Sequence, residues 1–109
     1  MGRVLWGNLS WHPAADAWRQ VAPAAPTPES IEVLHHENGT AVYRLVGAGP
    51  GGTPIIARRS GIAKALILRT LYSKMLSRLL IAAPRYCAFR AESPRCAWLF
   101  LEERRGGRP

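Results

Sequence analysis

Asn38-Gly39 lies between two runs of β-prone residues, Ile31–His36 and Thr40–Val46, and this placement narrows the fold more than any other feature of the chain. Both turn residues tolerate the positive φ of a type I′ turn, so the two runs are expected to pair as an antiparallel hairpin. Gly47–Thr53 (GAGPGGT) then reads as a loop and Pro54–Arg58 (PIIAR) as a third strand. Gly61–Leu80 has the helical period. Ala65, Leu68, Leu71, Tyr72, Met75, Leu76 and Leu79 fall in one arc, with Arg69, Thr70, Ser73, Lys74, Ser77 and Arg78 mostly opposite. Ser60 suits the N-cap of this helix, and Pro84 stops it. Two further strands, Arg85–Arg90 and Ala97–Glu102, are joined through Glu92-Ser93-Pro94.

Ahead of the hairpin, residues 1–14 read as irregular and Ala14–Val21 as a short helix. Pro23, Pro26 and Pro28 then mark a linker. The expected fold is α+β: an antiparallel five-stranded sheet with one long packed helix, plus the short N-terminal helix. Residues 1–28 form an N-terminal extension in this reading, 29–103 the folded lobe and 104–109 a disordered tail.

Charge narrows the partners. Lys and Arg number 15 against 7 Asp and Glu, giving a formal net charge of +8, and only Lys64 and Lys74 are lysines. Such an excess favours anionic partners: nucleotide, nucleic acid or acidic surfaces. The N-terminus lacks the apolar run of a signal peptide, and no apolar stretch approaches the roughly 20 residues that span a bilayer. Cys87 and Cys96 are too few for a disulfide framework, and a cytoplasmic location with reduced thiols is expected.

The chain carries no complete catalytic constellation. Gly47-Ala48-Gly49-Pro50-Gly51-Gly52 fits G-x-G-x-x-G, yet it leads into another strand, so no helix N-terminus meets a pyrophosphate. His35 and His36 are adjacent and face opposite sides of a strand, and His12 is remote; no metal site is expected. Nothing near Cys87 or Cys96 suggests an activated thiolate. Asp16 is the only Asp. Glu29, Glu32, Glu37, Glu92, Glu102 and Glu103 are too scattered to hold Mg²⁺ or to form an acid/base pair. The chain therefore reads as a binding domain and not as a working enzyme.

The stretches AVYRLVGAGPGGTPIIARRS, ALILRTLYSKML, APRYCAFR and AWLFLEE resemble the N-terminal part of bacterial aminoglycoside phosphotransferase-like proteins, over roughly residues 29–103. The resemblance implies a protein-kinase-like N-lobe. Asn38, Gly39 and Thr40 would form the flap over ATP phosphates, and backbone groups near Leu101 and Glu103 would meet the adenine edge. The family's phosphate-contacting Lys on the third strand corresponds to Arg58. Its helical Glu partner corresponds to Leu68.

Both halves of that Lys–Glu pair are thus replaced, and Arg does not substitute freely for a point-charge Lys. The family's catalytic base and metal ligands belong to a C-terminal lobe that these 109 residues do not contain. The expected product is a truncated or degenerate phosphotransferase-like N-lobe, inactive alone and binding ATP weakly if at all. A fragment of a longer reading frame fits the same residues. The face of Trp98 and Phe100, or that of Leu99 and Leu101, is expected to lie open as an apolar patch able to dock a protein partner. The alternative is a small basic module binding nucleic acid or acidic surfaces through Arg58, Arg59, Lys64, Arg69, Lys74 and Arg78.

Overall fold

The structure, a computed structural model, describes residues 3–7, 9, 11–37, 39–75 and 85–103. Their order is β1 (Arg3–Trp6), α1 (Pro13–Val21), β2 (Ser30–Glu37), β3 (Thr40–Val46), β4 (Ile55–Gly61), α2 (Ile62–Thr70), β5 (Arg85–Ala91) and β6 (Cys96–Glu102). The strands form one antiparallel sheet in the order β1-β2-β3-β4-β6-β5. The α+β class matches the expectation from sequence. The sheet, however, has six strands among the described residues, not five.

The additional strand lies where irregular chain was expected. Arg3–Trp6 pairs with Val33–Ser30 along the edge of β2. A four-residue run has too little periodicity to be recognised alone, and a strand this short forms because β2 supplies its hydrogen bonds. Leu5 also packs onto the core from this strand.

The hairpin forms as its turn residues require. β2 pairs with β3 from Ser30↔Val46 to Glu37↔Thr40, and Gly39 has φ 77°. A bulge between Val33 and His35 shifts the register, and both His35 and His36 are exposed.

Alternation along the paired strands sorts the side chains onto two faces. Ile31, Leu45, Ile55, Ala57, Trp98 and Phe100 are buried on one, together with Leu9 and Ala14, Ala15, Ala17 and Trp18 of α1. The alanines let the helix approach the sheet closely. Trp18 stands 5.2 Å from Phe100 between ring centroids, and its Nε1–H donates to the Ala48 carbonyl at 3.0 Å. The opposite face carries Leu99 and Leu101, and α2 packs there against β4 and β6 with Ala65 fully buried.

This two-sided cover corrects the expectation of an open apolar face. Trp98 and Phe100 are 2% and 0% exposed, and Leu99 and Leu101 are 0% and 4%. The N-terminal extension is the reason for the first pair, since α1 lies over them.

α1 begins at Pro13, whose missing N–H costs nothing at the first helical position. Its cap is His12: Nδ1 accepts a hydrogen bond from the Ala14 N–H at 3.1 Å, and the ring meets Tyr43 edge-on at 4.7 Å. Burial lowers the His12 pKa below its ordinary value. A lowered folded-state pKa means that the unfolded chain takes the proton first. The stabilisation is complete above about pH 6.5, the unfolded value, and is lost as pH falls through the folded pKa. Chemical denaturation followed below that pH should therefore show His12 contributing a slope of at most ~1.4 kcal/mol per pH unit. In His12→Asn, which keeps a capping oxygen, that contribution should vanish.

α2 departs from expectation at both ends. Ser60 does not cap it; β4 continues to Gly61, paired with Cys96, and Ser60 is buried within the strand. Gly61 takes the N-cap position with no side-chain bond. After Thr70 the helix loosens into a π-type turn over Leu71–Met75. The expected continuation to Leu80, with Leu76, Leu79, Arg78 and the stop at Pro84, lies outside the described residues, as do Asn38 and the tail. Within range the apolar arc is kept: Ala65 is buried, and Leu68, Leu71 and Tyr72 are half-buried.

The glycine loop after β3 is a structural turn. Gly49 donates its N–H to the Thr53 carbonyl at 2.8 Å, and a Cβ on Gly49 would sit 2.6 Å from that same oxygen. Gly49→Ala is expected to lower the unfolding free energy by about 1–3 kcal/mol, because the clash is with backbone and cannot be relieved by a rotamer. Urea denaturation measures it.

Candidate functional site

α2 packs on one face of the sheet, and Arg58 lies on that face of β4, two residues before the buried Ser60. On β4, Arg58 sits opposite Val42 of β3 and Leu99 of β6. It is half-buried. Its Nε is the one buried polar side-chain atom without a hydrogen-bond partner among the described residues. An orphaned buried donor costs free energy, so a protein that retains one has a strained or incomplete site there. No carboxylate is available from α2 or its π-type turn, whose residues run IAKALILRTLYSKM, and Leu68 is half-buried among them.

The other residues singled out from sequence lie along the same strands. Gly39 and Thr40 form one side of the β2–β3 turn. Moving along β3 from Thr40 passes Val42, opposite Arg58, and then Arg44, opposite Ile56. Ile56 in turn pairs with Leu101, so the Leu101 and Glu103 end is remote from the turn, with Arg58 between. At ~3.4 Å per residue, Gly39 lies about 10 Å along the strand from the Arg58 register.

The structure occupies Glu103 more fully than expected. Its N–H donates to the Pro54 carbonyl at 3.0 Å. Its carboxylate takes a bidentate pair from Arg44, Nε to Oε1 at 2.7 Å and Nη2 to Oε2 at 3.0 Å. Arg44 also pairs with Glu32 on β2. The Glu103 hydrogen bond is the main cause holding the Arg44 guanidinium above its ordinary range, with Glu32 adding to it against the opposing effect of burial. This three-residue cluster ties β2, β3 and the end of β6 together. Sequence reasoning missed Arg44, although its alternation with Val42 places it on the Arg58 face. Leu101 is hydrogen-bonded between β4 and β5 as part of the ladder.

The basic residues do not make one stripe. Arg59 alternates with Arg58 onto the other face and forms a bidentate pair with Glu92, both contacts at 2.9 Å. Glu92 also accepts from Trp98 Nε1 at 2.9 Å; the Arg59 bond first, then the Trp98 bond, hold its carboxyl below the usual range. Arg69 lies over the Phe89 ring at 4.8 Å. Lys64 and Lys74 are exposed along α2 and its continuation, and Arg78 is outside the described residues.

A groove of about 350 Å³ lies between the end of α1 and the glycine loop, lined by Trp18, Ala22, Ala25, Pro26, Gly51 and Gly52 among others. It holds no charged side chain, so it can shelter an apolar group but cannot move a proton. Among the described residues no group of three or more His, Cys, Asp or Glu could hold a metal ion. None of the described helices is long and apolar enough to cross a membrane. No protein-family model, curated protein or solved structure matches the chain.

Proposed function

We propose that these residues form a degenerate phosphotransferase-like N-lobe that offers one wall of a nucleotide site and does not itself transfer phosphate. The observation that carries this reading is Arg58: a cation on the α2 face, with an unpartnered buried Nε, between the β2–β3 turn and the Glu103 end of the sheet. A phosphate oxygen is the partner that such a donor lacks. The succession β2–β3 hairpin, β4, α2, β5, β6 supports the same reading, being the element order that the resemblance implies.

The chemistry of transfer has no carrier here. Phosphoryl transfer needs carboxylates for Mg²⁺ and a group that orients the nucleophile. The acids nearest this face, Glu32 and Glu103, are committed to Arg44. With Leu68 in place of a carboxylate, no acid of α2 fixes the Arg58 guanidinium at a set distance. Adenine contact would also compete with the Glu103–Pro54 hydrogen bond. Binding is accordingly expected in the millimolar range, equivalent to about 4 kcal/mol.

Adding ATP to the isotopically labelled chain tests this directly. Amide shifts are expected at Gly39, Thr40 and Arg58, saturating at millimolar ATP. An unchanged spectrum at that concentration contradicts the reading. The nucleic-acid alternative finds less support, because its cations are spread over both faces of the sheet and Arg59 is held by Glu92.

A further inference from the structure

Burial and charge on α2 disagree with a helix that merely packs on a sheet. Leu66 is 40% exposed and Ile67 69% exposed, in the middle of a helix whose inner side is already filled by Ala65 and Leu68. At 100° per residue, Leu66, Thr70, Ala63 and Ile67 span an arc of about 100° directed away from Ala65. Lys64 stands roughly 60° beyond Ile67 on one side of that arc, and Arg69 roughly 60° beyond Leu66 on the other. Ala63, Lys64, Leu66, Ile67, Arg69 and Thr70 are all exposed, as is Lys74 in the following turn. The result is a short apolar ridge with cations on both flanks.

The charge around the ridge is of one sign. α2 and its π-type turn contain Lys64, Arg69 and Lys74 and no acid, and no Asp or Glu occurs anywhere between Glu37 and Glu92. Asp16 pairs with Arg19, Glu32 and Glu103 pair with Arg44, and Glu92 pairs with Arg59. The helix therefore presents uncompensated positive charge on a chain of net charge +8.

We propose that the outer face of α2 docks on an anionic lipid surface, with Leu66 and Ile67 entering the headgroup boundary while Lys64, Arg69 and Lys74 lie against lipid phosphates. Partial insertion of an apolar ridge between flanking cations is how an amphipathic helix holds to such a surface. Nucleic acid fits the ridge less well. Leu and Ile offer no flat face for a base to stack on, Tyr72 is half-buried, and Phe89 is covered by Arg69. A folded protein partner fits less well also, since two aliphatic side chains on a nine-residue helix are a small part of what a stable interface buries. This docking is independent of the nucleotide wall, because Arg58 belongs to β4 on the sheet face that α2 packs against, and the ridge lies on the outside of α2.

Co-sedimentation of the full chain with vesicles decides the matter. With vesicles of about 30% phosphatidylglycerol in phosphatidylcholine, the chain is expected to partition onto lipid, and the bound fraction should fall steeply as salt is raised. Ile67→Gln and Leu66→Gln change exposed side chains and should leave the circular dichroism spectrum intact while weakening partition roughly tenfold together. Lys64→Glu should weaken it further and flatten the salt dependence. The proposal is overturned if the chain ignores anionic vesicles, if it binds pure phosphatidylcholine equally well, or if the two Gln variants partition like the parent. Tighter binding to duplex DNA than to the vesicles, unaffected by Ile67→Gln, would equally overturn it.

Discussion

Trp18→Ala is expected to lower the unfolding free energy by about 3–5 kcal/mol, the range for truncating a large aromatic in a packed core. Trp18 is 6% exposed, meets the Phe100 ring at 5.2 Å and donates to the Ala48 carbonyl, so its removal leaves a cavity and an unsatisfied acceptor together. A loss of this size is a large share of the ~5–15 kcal/mol typical of a whole domain. Trp18→Phe separates the two contributions. It keeps most of the packing, loses the Nε1–H, and should cost nearer 1 kcal/mol beyond its smaller volume. Urea melts of both variants check this. A wild-type midpoint for Trp18→Ala would mean that α1 does not cover Trp98 and Phe100.

Arg58→Met has the opposite expectation for stability and the larger one for binding. Met matches the length of the Arg stem and removes the orphaned Nε with its charge. Replacing a buried unpaired polar group by an apolar one of similar shape is neutral or stabilising. The melting midpoint should therefore hold or rise, while ATP-dependent shifts at Gly39 and Thr40 disappear. If Arg58 served only to hold the fold, stability would fall and the response to nucleotide would not depend on it.

The parts of the fold legible in the sequence were those with a local physical signal. Asn38-Gly39 announces a turn whatever the rest of the chain does, and the β2–β3 hairpin follows. α1 was legible through its alanine-rich run, bounded by Pro13 and Pro23. β1 was not, because four residues gain their structure from β2 and not from themselves. Ser60 resembled a cap on composition alone. Its true surroundings depend on β4 pairing three residues further, to Gly61↔Cys96, which is a tertiary matter.

The misread face of β6 had a signal that was available. AWLFL is a continuous apolar run, and such runs belong to strands covered on both sides. The resemblance implied cover from a further lobe, whereas α1 supplies it from the same chain. The place of Arg58 on the strand after the hairpin was legible, and the resemblance singled it out there. The capture of Glu103 by Arg44 was not, since 59 residues separate them and only the sheet brings them together. The capping role of His12 was missed because an isolated His has no pattern until the following Pro13 starts a helix.

The proposed nucleotide wall rests on Arg58, and the affinity of the parent chain and Arg58→Met for ATP, measured side by side, tests it most directly. The account predicts millimolar binding to the parent and binding at least ~10-fold weaker in the variant, a difference of about 1.4 kcal/mol. Equal affinity in two equally folded proteins would contradict it.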